Sequence, residues 1–423
     1  MYKKKQLKNG LKMVVSPMPQ MASVSLGVWI GIGGRYEKAN WSGMSHLVEH
    51  MLFKGTYERS AEQLKRSIEG IGGAFNGFTS DEVTCYMVKV PAKYLELGVD
   101  ILTDMVFNAR FDEIDIAKEK FVICEEIKMY KDQPADYVME LLGSITWPDN
   151  PLGRPLTGSS TTVRSFKRSD MVAFRDNNYH PANMSVIAAG KIASDRFFDC
   201  VSKKFTGRKK KKTPTFRSPV VDQNRPRAKF MNSNTKQTHV ALGFPLLVKD
   251  ARERFSLKLM NVILGGNMSS RLFEELREKH GLCYEISSSY KRHSDLSELV
   301  IHSGVDSSRV LKSIVSILDE LKKIRDYGVT EEELLRAKEY AKGQFLLAME
   351  GTATRMLWLG DRLMVHRDIP EVREVIKRVD EVEAGDIKKA CEKAFRAALA
   401  NLAVIGNLKK NEIKDIRREL GKL

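Results

Sequence analysis

The chain has 423 residues, 42% of them hydrophobic and 29% charged, which excludes a disordered or collagenous protein. It is too long for one ordinary core, so about two to three domains are expected. The net charge of +16 admits a polyanionic partner. However, no zinc knuckle, RNA-binding signature or aromatic–basic alternation accompanies it. The expectation is a basic solvated surface, with no specific nucleic acid and no membrane among the partners.

Five cysteines (85, 124, 200, 283 and 391) are widely spaced and form no C-x-x-C pair, which argues for a reducing compartment and against a disulfide framework. The basic start lacks the apolar run of a signal peptide, and no apolar run elsewhere is long enough to span a bilayer. A cytoplasmic protein is expected.

In chain order, Leu11–Val15 follows an Asn9-Gly10 turn as a strand, and Val24–Ile30 is a second strand leading into a Gly-rich bend. Residues 46–50 come next and read as helix. Ala61–Glu69 is an amphipathic helix with Ser60 as its N-cap, stopped at Gly70-Ile71-Gly72-Gly73. Ala74–Ser80 and Val83–Val90 form paired strands, and helices follow around 91–108 and 112–130. Strands and helices in separate blocks predict an α+β fold and not a doubly wound parallel sheet. The basic run Arg208–Lys212, followed by Pro214, Pro219 and Pro226, reads as a linker over 208–226. A polyanion-binding tail is its functional alternative.

The two sides of that linker resemble each other. Phe111–Lys120 has a counterpart in Val329–Glu339, with Glu119 and Glu339 separated by 220 positions. Each copy follows a strand and an amphipathic helix. This predicts two homologous domains, 1–207 and 227–423, each a mainly antiparallel sheet with helices packed on one face.

The stretch His46-Leu47-Val48-Glu49-His50 carries the chemistry. On a helix, residues 46, 49 and 50 share one face. Two imidazoles one turn apart can grip a single Zn²⁺ and leave a carboxylate beside the metal-bound water. H-x-x-E-H is the inverted form of the zinc-protease helix H-E-x-x-H. With 8 histidines and 54 acidic residues, chance supplies roughly 0.02 such matches. A third ligand is still needed, and the helix at 112–130 offers Glu119, Glu125 and Glu126. Glu119 and Glu126 lie two turns apart on one face, so one could ligate while the other supports; spacing alone leaves the choice open. The second copy has no H-x-x-E-H.

Residues 43–56, the run Gly72–Glu82 and Val122–Ile127 resemble the pitrilysin/insulinase family of zinc peptidases. Within it the chain is most similar to small bacterial members akin to the mitochondrial processing peptidase β subunit. The similarity extends through Asn178–Met184, Gly265–Leu272 and Leu276–Tyr284. It implies a zinc endopeptidase acting on short or unfolded peptides in a closed two-domain chamber. The family's third ligand lies about 76 residues after the second histidine, which implies Glu126 as ligand and Glu119 as supporting carboxylate. It implies one zinc per active protomer on His46, His50 and Glu126, with Glu49 as general base. Arg277 and Tyr284 match an Arg and a Tyr seven apart that hold the scissile carbonyl. Asn76, with Ala74 and Phe75, would bind the peptide main chain at a sheet edge. The repeat places Leu346 opposite Glu126, so the second half is degenerate. The family also includes inactive subunits, so a non-catalytic partner or scaffold is the alternative. A homodimer, or a heterodimer of active and inactive chains, is expected.

Overall fold

The computed structural model describes residues 2–248 and 250–423, which fall into two compact units. The first comprises Met1–Lys128, Arg154–Arg217 and Leu346–Glu371. Its sheet contains β1 (Lys3–Gln6), β2 (Lys12–Pro17), β3 (Ser23–Ile30), β4 (Ala74–Thr79), β5 (Thr84–Pro91) and β6 (Met184–Gly190). The spatial order is β1-β2-β6-β3-β5-β4, in which only β2 and β6 run parallel. Strands near 11–15, 24–30, 74–80 and 83–90 were expected. β1 was not: its residues are Lys, Lys, Lys and Gln, all exposed, so no apolar alternation betrays it. Lysines on an outer strand also discourage edge-to-edge pairing.

Alternation along β3 divides its side chains between two cores. Val24, Leu26, Val28 and Ile30 face a core shared with Ile101, Leu102 and Met105 of the helix Leu95–Asn108. Trp29 points to the opposite face, with Val14, Ile187 and Ala189, against Met356 and Leu359 of the helix Thr352–Met364. That helix approaches closely: a Cβ on Gly360 would lie 2.1 Å from the Trp29 ring.

The second unit comprises Met129–Gly153, Ser218–Phe345 and Val372–Leu423. Its strands are β7 (Arg227–Asn232), β8 (Thr238–Leu246), β9 (Cys283–Arg292), β10 (Ser297–Val305) and β11 (Asn401–Gly406). They are ordered β7-β11-β8-β10-β9, with β7 and β11 parallel. This repeats the β2-β6-β3-β5-β4 order of the first sheet, including its one parallel pair. The helices Ala251–Leu264, Val310–Tyr327 and Ala384–Ala394 share one core with this sheet. The helix Pro134–Thr146 covers the other face, setting Val138, Leu141 and Leu142 against Ala241, Val300, Ala403 and Ile405.

The fold is α+β and mainly antiparallel, but two details of the sequence expectation need correcting. Helices occupy both faces of each sheet, because the central strands are apolar on both sides. The units also differ from the contiguous stretches 1–207 and 227–423. The helix Pro134–Thr146 belongs to the second unit and Thr352–Met364 to the first.

The segment 208–226, read from the sequence as a linker, contains no helix or strand. Its first part is nevertheless tied down. The Arg208 guanidinium lies 3.4 Å from the centre of the Phe107 ring. The Lys211 backbone N–H donates to His180 Nδ1 at 3.3 Å, and its Nζ donates to the Asp176 carbonyl at 2.6 Å. Among the described residues, no helix is long and apolar enough to cross a membrane.

Candidate metal centre

The helix Met44–Leu52 buries Met44, Leu47, Val48, Met51 and Leu52, a continuous apolar stripe at helical spacing. His46, Glu49 and His50 fall on the remaining face. The helix Glu113–Asp132 crosses this face and brings Glu126 to it. Glu126 Oε2 lies 3.8 Å from His46 Nε2 and 3.9 Å from His50 Nε2. One ligand atom from each of the three residues falls within 4.8 Å of the others.

These separations are too long for hydrogen bonds. They are close to the roughly 3.4 Å between donors of a tetrahedral zinc with bonds near 2.1 Å. Two imidazole nitrogens and a carboxylate oxygen are also the donor types zinc takes. The residues therefore fit the ion.

Of the three carboxylates open from spacing alone, Glu126 is the one that reaches both Nε2 atoms. Glu119 lies behind His50, with Oε2 3.0 Å from Nδ1, and its Oε1 is 2.6 Å from Lys54 Nζ. Glu125 turns away to pair with Lys128 at 2.7 Å. Glu119 accepting from Nδ1–H leaves the His50 Nε2 lone pair directed towards Glu126. His46 lacks this support: its Nδ1 is buried without a hydrogen-bond partner among the described residues.

The surroundings tune each proton. Burial, and then the neighbouring His50, lowers His46 to about 4, so its imidazole is neutral at neutral pH. Burial also pulls His50 down. It is outweighed by the hydrogen bond to Glu119 and the charges of Glu49, Glu119 and Glu126, so its affinity for a proton rises. For Glu119, burial is outweighed by His50 and Lys54, and its pKa falls below the ordinary value. Burial raises Glu49, which is 8% exposed. Thr79 Oγ1 donates to Glu49 Oε2 at 3.5 Å. A Cβ at Gly77 would lie 2.8 Å from Glu49 Oε1, so glycine leaves the space this carboxylate uses.

Gly77 and Thr79 belong to β4, the outer strand of the sheet beyond β5. On the same strand Ala74 and Asn76 are exposed, and Phe75 packs against Phe53 with ring centroids 5.4 Å apart. Asn76 Oδ1 accepts the Gly77 N–H at 2.8 Å. Arg277 and Tyr284 belong to the other unit, where they lie together. The guanidinium is 5.1 Å from the Tyr284 ring centre, and Tyr284 is 76% exposed.

Sequence reasoning missed Lys54, Gly77 and Thr79. Lys54 lies four residues beyond His50, just past the end of the helix, a spacing that could have suggested it. Nothing local ties Gly77 or Thr79 to Glu49.

An H-x-x-E-H helix crossed by a second helix that supplies a carboxylate is the arrangement of an inverted zinc-peptidase centre. The chain belongs to peptidase family M16. Residues 12–160 match the family model described as insulinase (peptidase family M16), and residues 165–340 match the peptidase M16 inactive domain. The second match agrees with the absence of H-x-x-E-H from that half.

The chain is 34% identical to the uncharacterized zinc protease YmxG of Bacillus subtilis, covering 96% of this chain and 100% of that protein. It is 32% identical to an uncharacterized zinc protease of Streptomyces coelicolor, over 95% of this chain and 89% of the relative. Two crystal structures share the fold. A protease from Helicobacter pylori aligns with a TM-score of 0.89 at 21% identity, covering 96% of this chain and 99% of the other. A Pseudomonas fluorescens structure described as a peptidase M16 inactive domain also scores 0.89, at 16% identity, over 97% and 98%.

Proposed function

We propose that this protein is a zinc-dependent endopeptidase hydrolysing short or unfolded peptides. The observation supporting it is the convergence of His46, His50 and Glu126, with Glu49 on the same helix face as the two histidines. His46, His50 and Glu126 would hold zinc, which when bound acts as a Lewis acid on the attacking water and the scissile carbonyl. Glu49, whose proton affinity burial raises, takes the proton of the attacking water and returns it to the leaving amine. Glu119 holds the His50 ring in orientation. The free edge of β4 at Ala74, Phe75 and Asn76 pairs with an extended main chain, which gives broad side-chain tolerance. Arg277 and Tyr284 donate to the scissile carbonyl, a role carried over from the family resemblance.

The reading extends to about one zinc per active protomer. It also extends to a cytoplasmic protein that works as a homodimer, or as the active chain of a heterodimer, around an enclosed substrate. The cysteines, all free, support a reducing compartment.

Metal analysis of the purified protein, with cleavage of a quenched peptide, tests this reading. About one zinc per protomer and chelator-sensitive turnover are expected. Glu49→Gln should keep the zinc and lose at least about 10²-fold in kcat. Turnover unchanged in that variant would overturn the assigned base. A pure protein that holds zinc but cleaves nothing would favour the non-catalytic partner reading.

A further inference from the structure

We infer that Glu37 is a positioning residue for the metal centre, capping the helix that carries His46 and His50. The inference rests on the metal-binding reading above and adds a residue that touches none of the metal-ligating groups.

The first N–H groups of any helix lack an acceptor within it. A Ser, Thr, Asp or Asn at the N-cap ordinarily supplies one. Here the N-cap is Gly43, with φ at 94° and no side chain to offer. Nor can one be added: a Cβ at this position would lie 2.5 Å from the Thr157 carbonyl oxygen and 3.0 Å from Gly158 Cα. The cap has to come from elsewhere in the chain.

Glu37 supplies it. Its Oε2 accepts the Gly43 N–H at 2.8 Å and its Oε1 accepts the Ser45 N–H at 2.6 Å. Both are short bonds, and an acidic side chain also suits the positive end of the helix. The side chain is held in place for this task. Glu37 is only 6% exposed, its N–H bonds to the Gly34 carbonyl at 3.2 Å, and its own carbonyl accepts from the Arg154 guanidinium. Two residues earlier, Arg35 forms a buried ion pair with Glu82, and its N–H reaches the Asp81 carbonyl at 2.8 Å. The capping carboxylate is thus mounted on a segment fixed from two sides.

The consequence for the centre follows from position. His46 is the third residue of the helix, in the turn whose N–H groups Glu37 binds, whereas His50 lies one turn further in. Among the described residues, His46 Nδ1 has no hydrogen-bond partner, so no carboxylate orients its ring as Glu119 orients that of His50. Its placement depends on the backbone of the first turn. Without Glu37 that turn frays, and the geometry between His46 and Glu126 is lost before that of His50.

The test compares wild type, Glu37→Gln and Glu37→Ala as metal-free proteins titrated with zinc against a chromophoric chelator. Amide hydrogen exchange of residues 43–47 and the kcat and KM of each loaded protein are measured alongside. The alanine variant should bind zinc about 10-fold more weakly or worse. The glutamine variant, which keeps one acceptor oxygen, should fall between it and wild type. Exchange should quicken at residues 43–47, and KM should stay near the wild-type value. If alanine prevents folding, the near-isosteric glutamine variant alone decides, through its zinc affinity and local exchange. Zinc affinities within twofold of wild type in the folded variants, whatever their melting temperatures, would overturn the inference and reduce Glu37 to a general structural role. A wild-type protein that binds no zinc, or binds it equally well as His46→Ala, would instead overturn the functional reading on which the inference rests.

Discussion

Glu119 bridges His50 and Lys54, with one carboxylate oxygen 3.0 Å from His50 Nδ1 and the other 2.6 Å from Lys54 Nζ. The hydrogen bond first, and the charge of the carboxylate after it, raise the basicity of the imidazole that faces Glu126. Glu119→Gln keeps the shape and removes the charge. Zinc affinity is expected to fall about 10- to 100-fold, as for other carboxylates behind metal-bound histidines. Competition with a chelator measures this, and an unchanged affinity would show that the carboxylate only anchors Lys54.

Gly77 offers a different kind of test, because it limits Glu49 by volume and not by bonding. An alanine Cβ would lie 2.8 Å from Glu49 Oε1 and 3.0 Å from the Phe53 ring. The carboxylate must then move, while His46, His50 and Glu126 are untouched. Gly77→Ala should keep its zinc and lose on the order of 10²-fold in turnover, the effect of misplacing a reacting group by about 1 Å. Loss of zinc together with activity would show that the strand, and not the carboxylate, had shifted.

These two residues mark the limit of what the sequence makes legible. The helix Ala61–Glu69 was readable because its signals are local, down to the Ser60 cap, which forms a reciprocal capping box with Gln63. His46, Glu49 and His50 were readable because helical spacing places them on one face. Spacing left Glu119, Glu125 and Glu126 open, since a helix face says nothing about what crosses it. Gly77, Thr79 and Glu37 act through contacts between separate elements and have no local signature. The strand β1 is hidden for the opposite reason, being wholly polar and exposed. The repeat was visible but its register was not fully fixed. The paired helices begin at Glu113 and Glu331, an offset of 218 that places Gln344 opposite Glu126, against Leu346 from the matched Glu119 and Glu339. Neither residue is a carboxylate.

The stability of the metal-free protein should depend on pH through Glu37. Burial pushes this carboxyl up to about 7 from its ordinary 4.5, against the pull of its two backbone N–H bonds. An acid with a raised pKa contributes most favourably below its unfolded value, and that contribution is lost as pH rises through the folded value. The stability of wild type relative to Glu37→Gln, which cannot titrate there, should therefore decline between about pH 4.5 and 7 and level off above. The slope has an upper bound of about 1.4 kcal/mol per pH unit. Urea unfolding of both metal-free proteins across this range checks it. A flat difference would mean that the helix N-terminus holds Glu37 at an ordinary value.

The division of the chain between units predicts that the first half cannot fold alone. In the first unit, Val14, Trp29, Ile187 and Ala189 are covered by Met356 and Leu359, which come from late in the sequence. A fragment of residues 1–217 leaves that face bare. It also retains the helix Pro134–Thr146, whose Val138, Leu141 and Leu142 lose the strands they pack against. Two apolar surfaces would be exposed at once, so the fragment should bind a hydrophobic dye and melt without a cooperative transition. A sharp melt with no dye binding would show that the sheet is stable with one face open. Gly360→Ala in the full chain makes the same point more gently. Its Cβ would meet the Trp29 ring at 2.1 Å, so the helix must lift from the sheet. A loss of about 1–3 kcal/mol is expected, typical of overpacking a filled core. That loss should appear in urea unfolding with little change in zinc affinity, since neither Trp29 nor the helix Thr352–Met364 supplies a metal-ligating group.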